Sequence, residues 1–200
     1  MTAPVLGASK IAAVVGADRF QTPQQLWARM AGLESWEPEG PDMLRGKCLE
    51  AGLLDWGQRQ GWCELVAQQL QLVHPADSRL GATPDALAQH DGRRWVVDAK
   101  APRPGTKSWD DRSGKYPLGY ALQSQWQQGL ARLCGYDVTQ GELWAGPMAY
   151  SGALMRVRVE FDAQLFDLLV QRAQLFLDHV ERREPLPVDW YSFANQGAQT

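Results

Sequence analysis

Pro84-Asp85, twelve further residues and then Asp98-Ala99-Lys100 form the segment of this chain best equipped for chemistry. Side chains alternate faces along a strand, so Asp98 and Lys100 point the same way while Ala99 turns into the core. If Asp85 lies on the paired strand, two carboxylates and one ammonium converge. Carboxylates at close range repel, and a divalent cation relieves that repulsion. Hard oxygen donors select Mg²⁺ or Mn²⁺ over zinc. Such a cation polarises phosphoryl oxygens and acidifies a bound water. Lys100 beside it could orient that water or stabilise a pentacovalent transition state. The plainer reading is a surface hairpin with a salt bridge at a strand end, because Pro-Asp and Asp-x-Lys each occur often by chance.

Glu50 weighs against the plainer reading. Gly46 and Leu54 lie one helical turn to either side of it, so it shares its face with small and apolar groups. A carboxylate there is either paired and partly buried or aimed at a metal; beside Lys47 it could also be an ordinary boundary residue. Gln123 and Gln127 stand one turn apart beside Tyr120. Their amides could donate to phosphate oxygens or hold a water, or they could belong to an ordinary polar helix face with Gln125 and Gln128. Arg103, Lys107, Arg112 and Lys115, with Trp109 and Tyr116, make a basic and aromatic loop directly after the Asp-x-Lys segment. That mixture suits tracking a nucleic-acid backbone and stacking on bases, although a solvated loop would look the same. His74, His90 and His179 have no spacing that suggests a metal cluster, and no nucleophile elbow or phosphate-binding glycine loop is present.

Elements must position these groups. Ser9–Val15 reads as a short first helix. Thr22 begins a second, with Pro23 at its first position and Gln25 where a capping-box partner belongs, ending near Gly32. Asp42 can cap a long third helix in which Leu49, Leu53, Trp56, Cys63, Val66 and Leu70 follow a 3.6-residue period. Strands are expected at Ser78–Leu80, Thr83–Ala88 and Trp95–Ala99, with His90-Asp91-Gly92 turning the last two into a hairpin. Residues 101–117 read as a loop that is functional or mobile. A helix follows over Leu118–Leu133, then strands at Val138–Trp144 and Leu154–Val159, and a final helix capped by Asp162. This order is that of an α/β protein with a mixed central sheet. Residues 1–185 form a single domain in this reading. Residues 186–200 form a C-terminal tail, from which Trp190, Tyr191 and Phe193 could dock.

The chain has 200 residues, 44% hydrophobic and 22% charged, which is enough for one globular core and excludes intrinsic disorder. Nine tryptophans are many for this length; most should pack, and a few could face a ligand. The net charge of -3 is unusual for a nucleic-acid binder, but a metal-binding carboxylate site adds negative charge and a basic stripe can coexist with an acidic exterior. Cys48, Cys63 and Cys134 are odd in number and make no CxxC pair, which argues for reduced thiols in a cytoplasmic protein. The N-terminal segment lacks a signal-peptide pattern, and no apolar run is long enough to span a membrane.

Taken in order, five stretches resemble the lambda-type, or YqaJ-like, viral exonuclease and recombinase family of the PD-(D/E)XK nuclease superfamily. They are Leu6–Gly16, Gly46-Lys47-Cys48-Leu49-Glu50, Pro84-Asp85, Val97–Pro102 and Tyr120–Trp126. The resemblance implies a restriction-endonuclease-like core, a mixed β-sheet flanked by helices. It implies Asp85, Asp98 and the Ala99 carbonyl as ligands of Mg²⁺ (or Mn²⁺), and Glu50 reaching toward a second metal or its water. Lys100 would assist the nucleophilic water, Gln123 would complete the site, and Ser9 would hold a terminal 5′-phosphate. The chain departs from the family at three points. Asp98 stands where Glu is frequent, Ala86 replaces the usual glycine, and no arginine precedes Ser9, so that Lys10, Arg19 or Arg45 would have to substitute. Further expectations are a ring-shaped homotrimer threading double-stranded DNA, digestion of one strand from its 5′ end, and a single-strand annealing protein as partner in a phage or prophage recombination module. Rival readings are a nuclease of other polarity or endonucleolytic habit, a non-catalytic DNA-binding protein, and a metal enzyme acting on a small molecule.

Overall fold

The computed structural model describes residues 5–102, 116–146 and 155–191. A 3₁₀ turn at Ala8–Lys10 runs into the short helix α1 (Ile11–Val14), followed by α2 (Pro23–Met30) and α3 (Pro41–Arg59). Then come strands β1 (Glu64–Gln68), β2 (Leu72–Val73), β3 (Gly81–Ala82), β4 (Ala86–His90) and β5 (Arg93–Lys100). Helix α4 (Leu118–Leu133), strands β6 (Val138–Ala145) and β7 (Met155–Glu160), helix α5 (Ala163–Arg182) and a 3₁₀ turn at Val188–Tyr191 complete it.

The main sheet has the order β1-β4-β5-β6-β7, and β2 and β3 pair separately. Among the described strands of this sheet only β5 and β6 run parallel, and α4 crosses between them. A parallel pair requires such a crossover, and here it lays α4 along the face that carries Asp98. The expected α/β class with a mixed sheet flanked by helices is what the chain adopts.

Local chemistry explains several boundaries. Thr22 and Gln25 exchange side-chain to backbone hydrogen bonds at 2.9 and 3.2 Å, a complete capping box with Pro23 at the first position. Asp162 Oδ1 accepts from the Leu165 N–H at 3.0 Å and starts α5. The hairpin between β4 and β5 turns through Asp91 (φ 49°) and Gly92 (φ 73°), both left-handed as a two-residue hairpin turn requires.

The third helix differs from the periodicity reading. Gly40, not Asp42, is its N-cap, with Pro41 at the first position. It stops at Arg59, because Gly61 enters the left-handed region (φ 69°) and turns the chain into β1. Cys63 thus follows the helix, Val66 lies in a strand and Leu70 comes after that strand. Ser78–Leu80 is a turn tied by Arg79, whose guanidinium pairs with Asp77, Asp178 and Glu181, and the short strand begins only at Gly81. Asp85 precedes β4 instead of lying within it.

Two apolar clusters sandwich the sheet. The larger one joins α1, α2, α4 and α5 to Val96 and Val138, with Trp126, Leu130 and Phe176 fully buried. The smaller lies under α3 and contains Leu54, Cys63, Trp95, Val97, Ala99 and Trp144. Full burial of each large side chain contributes about 1.5–3 kcal/mol. Leu186 and Trp190 join the larger cluster, and the Trp190 indole N–H donates to the Val14 carbonyl at 2.8 Å. Packing therefore continues past Pro185; Phe193 lies outside the described residues. Among the described residues no helix is long and apolar enough to cross a membrane.

Candidate active site

The site lies at the C-terminal end of β5, beyond the last residue paired with β4. The pairing ends at Ala86 opposite Val97, so the β4-side edge of Asp98, Ala99 and Lys100 is free for side chains. Asp85 fills that edge. Its Oδ2 accepts from the Ala99 N–H at 2.7 Å, and its Oδ1 from Gln69 Nε2 at 3.4 Å. The N–H and C=O of one strand residue point to the same side, so the Ala99 carbonyl also faces Asp85.

Asp98 is 2% exposed. Its Oδ1 accepts two amide donors from α4, Gln123 Nε2 at 2.8 Å and Gln127 Nε2 at 3.1 Å. The i,i+4 spacing puts both glutamines on one helix face above the carboxylate. The Lys100 ammonium pairs with the other oxygen, Asp98 Oδ2, at 2.7 Å. Lys100 Nζ also sits 5.4 Å from the centre of the Tyr120 ring.

These charges interact. Burial, and then the negative charge of Asp98, push the Asp85 carboxyl up from an ordinary 3.8 to about 6; Lys100 opposes them. Burial works against the Lys100 ammonium, but Asp98, Asp85 and Glu50 outweigh it and hold its pKa above the ordinary value. Glu50 is half-buried on α3. Burial raises its pKa first, Lys100 lowers it and Asp98 raises it, so this third carboxylate belongs to the same electrostatic group.

The arrangement suits a divalent cation. A buried carboxylate, a second carboxylate held nearby in mutual repulsion, and a carbonyl on the same edge are hard oxygen donors of the Mg²⁺ and Mn²⁺ type. Among the described residues no three Asp, Glu, His or Cys side chains converge tightly enough to cage a metal by themselves. The core pair is therefore Asp85 and Asp98, with Glu50 further out.

The other expected site residues divide. Ser9 is exposed and lines a pocket of about 290 Å³ that also contains Gln123, Tyr120, Arg19 and Phe20, which brings it next to the carboxylate site. Lys10 lines a second hollow with Arg29 and Trp36. Its ammonium lies 4.9 Å from the Trp36 ring centre, and burial lowers its pKa. Arg45 is exposed on α3. Gln127, expected to touch DNA, is 0% exposed and spends its amide on Asp98, so burial removes it from any DNA-facing surface. Arg103, Lys107, Trp109, Arg112 and Lys115 lie outside the described residues. Gln69, which holds Asp85 from a left-handed backbone position (φ 50°), had no signal in the sequence.

With this geometry in place, the class is clear: residues 2–132 match the model of the YqaJ-like viral recombinase domain, and the chain belongs to that family. The family implies a divalent metal, in agreement with the donor set. Among solved structures, the fold is similar to that of an alkaline exonuclease (LHK-Exo) from Laribacter hongkongensis. That match has a TM-score of 0.73 at 18% identity and covers 98% of this chain and 94% of that one. The same enzyme in complex with dAMP gives a TM-score of 0.70, again at 18% identity, with the same shares of both chains covered. A phage-related exonuclease from Haemophilus somnus 129PT matches at 0.65 with 14% identity, over 89% of this chain and 94% of that one. No curated protein matches the sequence.

Proposed function

We infer that this protein is a phage-type exonuclease, a metal-dependent deoxyribonuclease that digests one strand of linear double-stranded DNA from its 5′ end and releases mononucleotides. The observation that carries this reading is the convergence of Asp85, Asp98 and Lys100 at an open strand end, beside a pocket shared by Gln123 and Ser9. Asp85, Asp98 and the Ala99 carbonyl would hold Mg²⁺, for which Mn²⁺ could substitute, with Glu50 serving a second ion or its water. The bound cation would supply Lewis-acid activation of the phosphodiester and of a water. Lys100, kept cationic by its carboxylates, stabilises charge on the phosphoryl oxygens and orients the attacking water. Gln123 and Gln127 fix the Asp98 rotamer. Ser9 binds the terminal phosphate, with Lys10, Arg19 or Arg45 supplying positive charge.

Family membership and the exonuclease titles of the structural relatives support this reading. It includes a homotrimeric ring around DNA, a single-strand annealing protein as partner, and action in the cytoplasm of a bacterial host. The test is degradation, with Mg²⁺, of a linear duplex with 5′-phosphate ends, the same duplex with 5′-hydroxyl ends, and a covalently closed circle. Lys100→Ala protein runs alongside. Consumption of linear DNA only, fastest with 5′-phosphate and absent in the variant, is the expected result. Cutting of the circle would refute the exonuclease assignment, and no cutting with either Mg²⁺ or Mn²⁺ would refute the nuclease.

A further inference from the structure

On the opposite face of the sheet, at the other end of β5, lies a second hollow of about 550 Å³. Trp62, Trp95, Arg93, Glu142, Arg156 and Arg158 line it. From Trp95 to Lys100 the strand advances five residues, about 16 Å at ~3.3 Å per residue. The two also point to opposite faces, so this hollow is separate from the carboxylate site.

It is built around buried polar groups. Glu142 is 5% exposed. It accepts from Arg156 Nη2 at 3.0 Å on both oxygens, from Arg156 Nε at 3.3 Å and from the Trp144 indole N–H at 2.8 Å. Those bonds saturate Glu142 and lock the Arg156 guanidinium 4.9 Å from the centre of the Trp62 ring. Trp62 is itself set edge-on against Trp144 at 5.3 Å. Among the described residues the buried Trp95 indole N–H has no acceptor. At the rim, Arg93 and Arg158 are exposed, and among the described residues neither has a carboxylate within ion-pair distance.

The hollow thus offers two exposed cations, unpaired among the described residues, and an aromatic face backed by a guanidinium. We propose that it binds a nucleotide unit. The phosphate lies on Arg93 and Arg158, and the base stacks on Trp62. Cationic groups beside a stacking aromatic are the general recipe for holding single-stranded nucleic acid, and the volume lies within the ordinary range for ligand sites, ~300–1,000 Å³. The nucleotide could be part of a single strand or a free monophosphate. The site does not depend on the catalytic reading, because it can be measured without metal.

The experiment titrates metal-free full-length protein, with chelator present, against a short labelled oligothymidylate and against thymidine 5′-monophosphate. Wild type is compared with the double variant Arg93→Ala/Arg158→Ala and its Arg93→Lys/Arg158→Lys counterpart. Both arginines are exposed, so truncation leaves the core intact, and equal thermal unfolding verifies this. The double alanine variant is expected to bind roughly tenfold more weakly, with a log–log salt slope shallower by about 1.4, two phosphate-type contacts at ~0.7 each. The lysine pair recovers most of that loss, and hydrolysis of a short linear duplex is unchanged in either variant. Tighter binding of the oligonucleotide than of the monophosphate identifies a strand as the ligand, and equal affinity identifies the free nucleotide; both uphold the site. Unchanged affinity of the double alanine variant for both ligands overturns it.

Discussion

Replacing Asp85 by Asn should make the metal-free protein more stable at alkaline pH while abolishing its activity. The folded-state pKa of Asp85 is raised from 3.8 to about 6, first by burial and then by Asp98. A carboxyl raised in this way favours folding fully below its unfolded pKa, and that contribution is lost as pH rises through the folded value. The difference, 6 minus 3.8, is 2.2 units; at ~1.36 kcal/mol per unit, ionised Asp85 costs the metal-free fold at most about 3 kcal/mol at pH 8. Asp85 keeps partial solvent contact, which brings the expected figure down to roughly 1–3 kcal/mol. Asparagine retains an oxygen to accept from the Ala99 N–H but has no charge to set against Asp98.

The assay is thermal unfolding of wild type and Asp85→Asn with chelator, at pH 8 and pH 4.5. About 1 kcal/mol corresponds to roughly 2–4 °C for a domain of this size. The variant should therefore melt roughly 2–12 °C higher at pH 8, and the gap should shrink to about a third at pH 4.5, where folded Asp85 is protonated but the unfolded carboxyl is already mostly ionised. Mg²⁺ should raise the melting temperature of wild type at pH 8 and leave the variant unmoved. If Asp85→Asn is destabilised by the same amount at both pH values, the carboxylate is not held against its neighbours and the reasoning fails.

Two further outcomes test placement. Gln127→Leu should lower activity about 10–100-fold by weakening the hold on Asp98; a Mg²⁺ titration should show a raised metal requirement, and unchanged metal-free DNA affinity would separate this from a lost DNA contact. Gly129→Ala should destabilise by about 1–3 kcal/mol in denaturant unfolding, because a Cβ there would lie 2.2 Å from two Phe166 ring carbons; helix propensity alone predicts a gain of ~1 kcal/mol, so the sign decides, and Phe166→Leu should rescue it.

How much of this was legible depends on which physics each residue obeys. Asp98 and Lys100 were readable because strand alternation is a local rule, and the hairpin turn and the caps at Thr22 and Asp162 were readable because each rests on a few adjacent atoms. β1 was not. Val66 and Leu70 satisfy a helical period as well as a strand, and only the left-handed Gly61 and the backbone pairing with β4 decide between them. Gln127 was misplaced for a related reason. The sequence shows that α4 has a polar side but not that this side faces inward, which depends on the parallel crossover that lays α4 over β5.

That inward polar side also leaves the site its charge. Gln123 and Gln127 support Asp98, while Gln125 and Gln128 reach backbone carbonyls of Glu160 and Val159 and anchor β7. Amides satisfy these buried acceptors without adding charge. With Glu50, Asp85 and Asp98 ionised and Lys100 protonated, the group carries three negative charges and one positive, a net of minus two. A lysine or arginine at position 123 or 127 would add a positive charge beside Asp98 and halve that net charge. Neutral glutamines hold the carboxylate in place and leave its charge to a divalent cation, so the residues that looked most like an ordinary polar helix face are the ones that keep the site suited to metal.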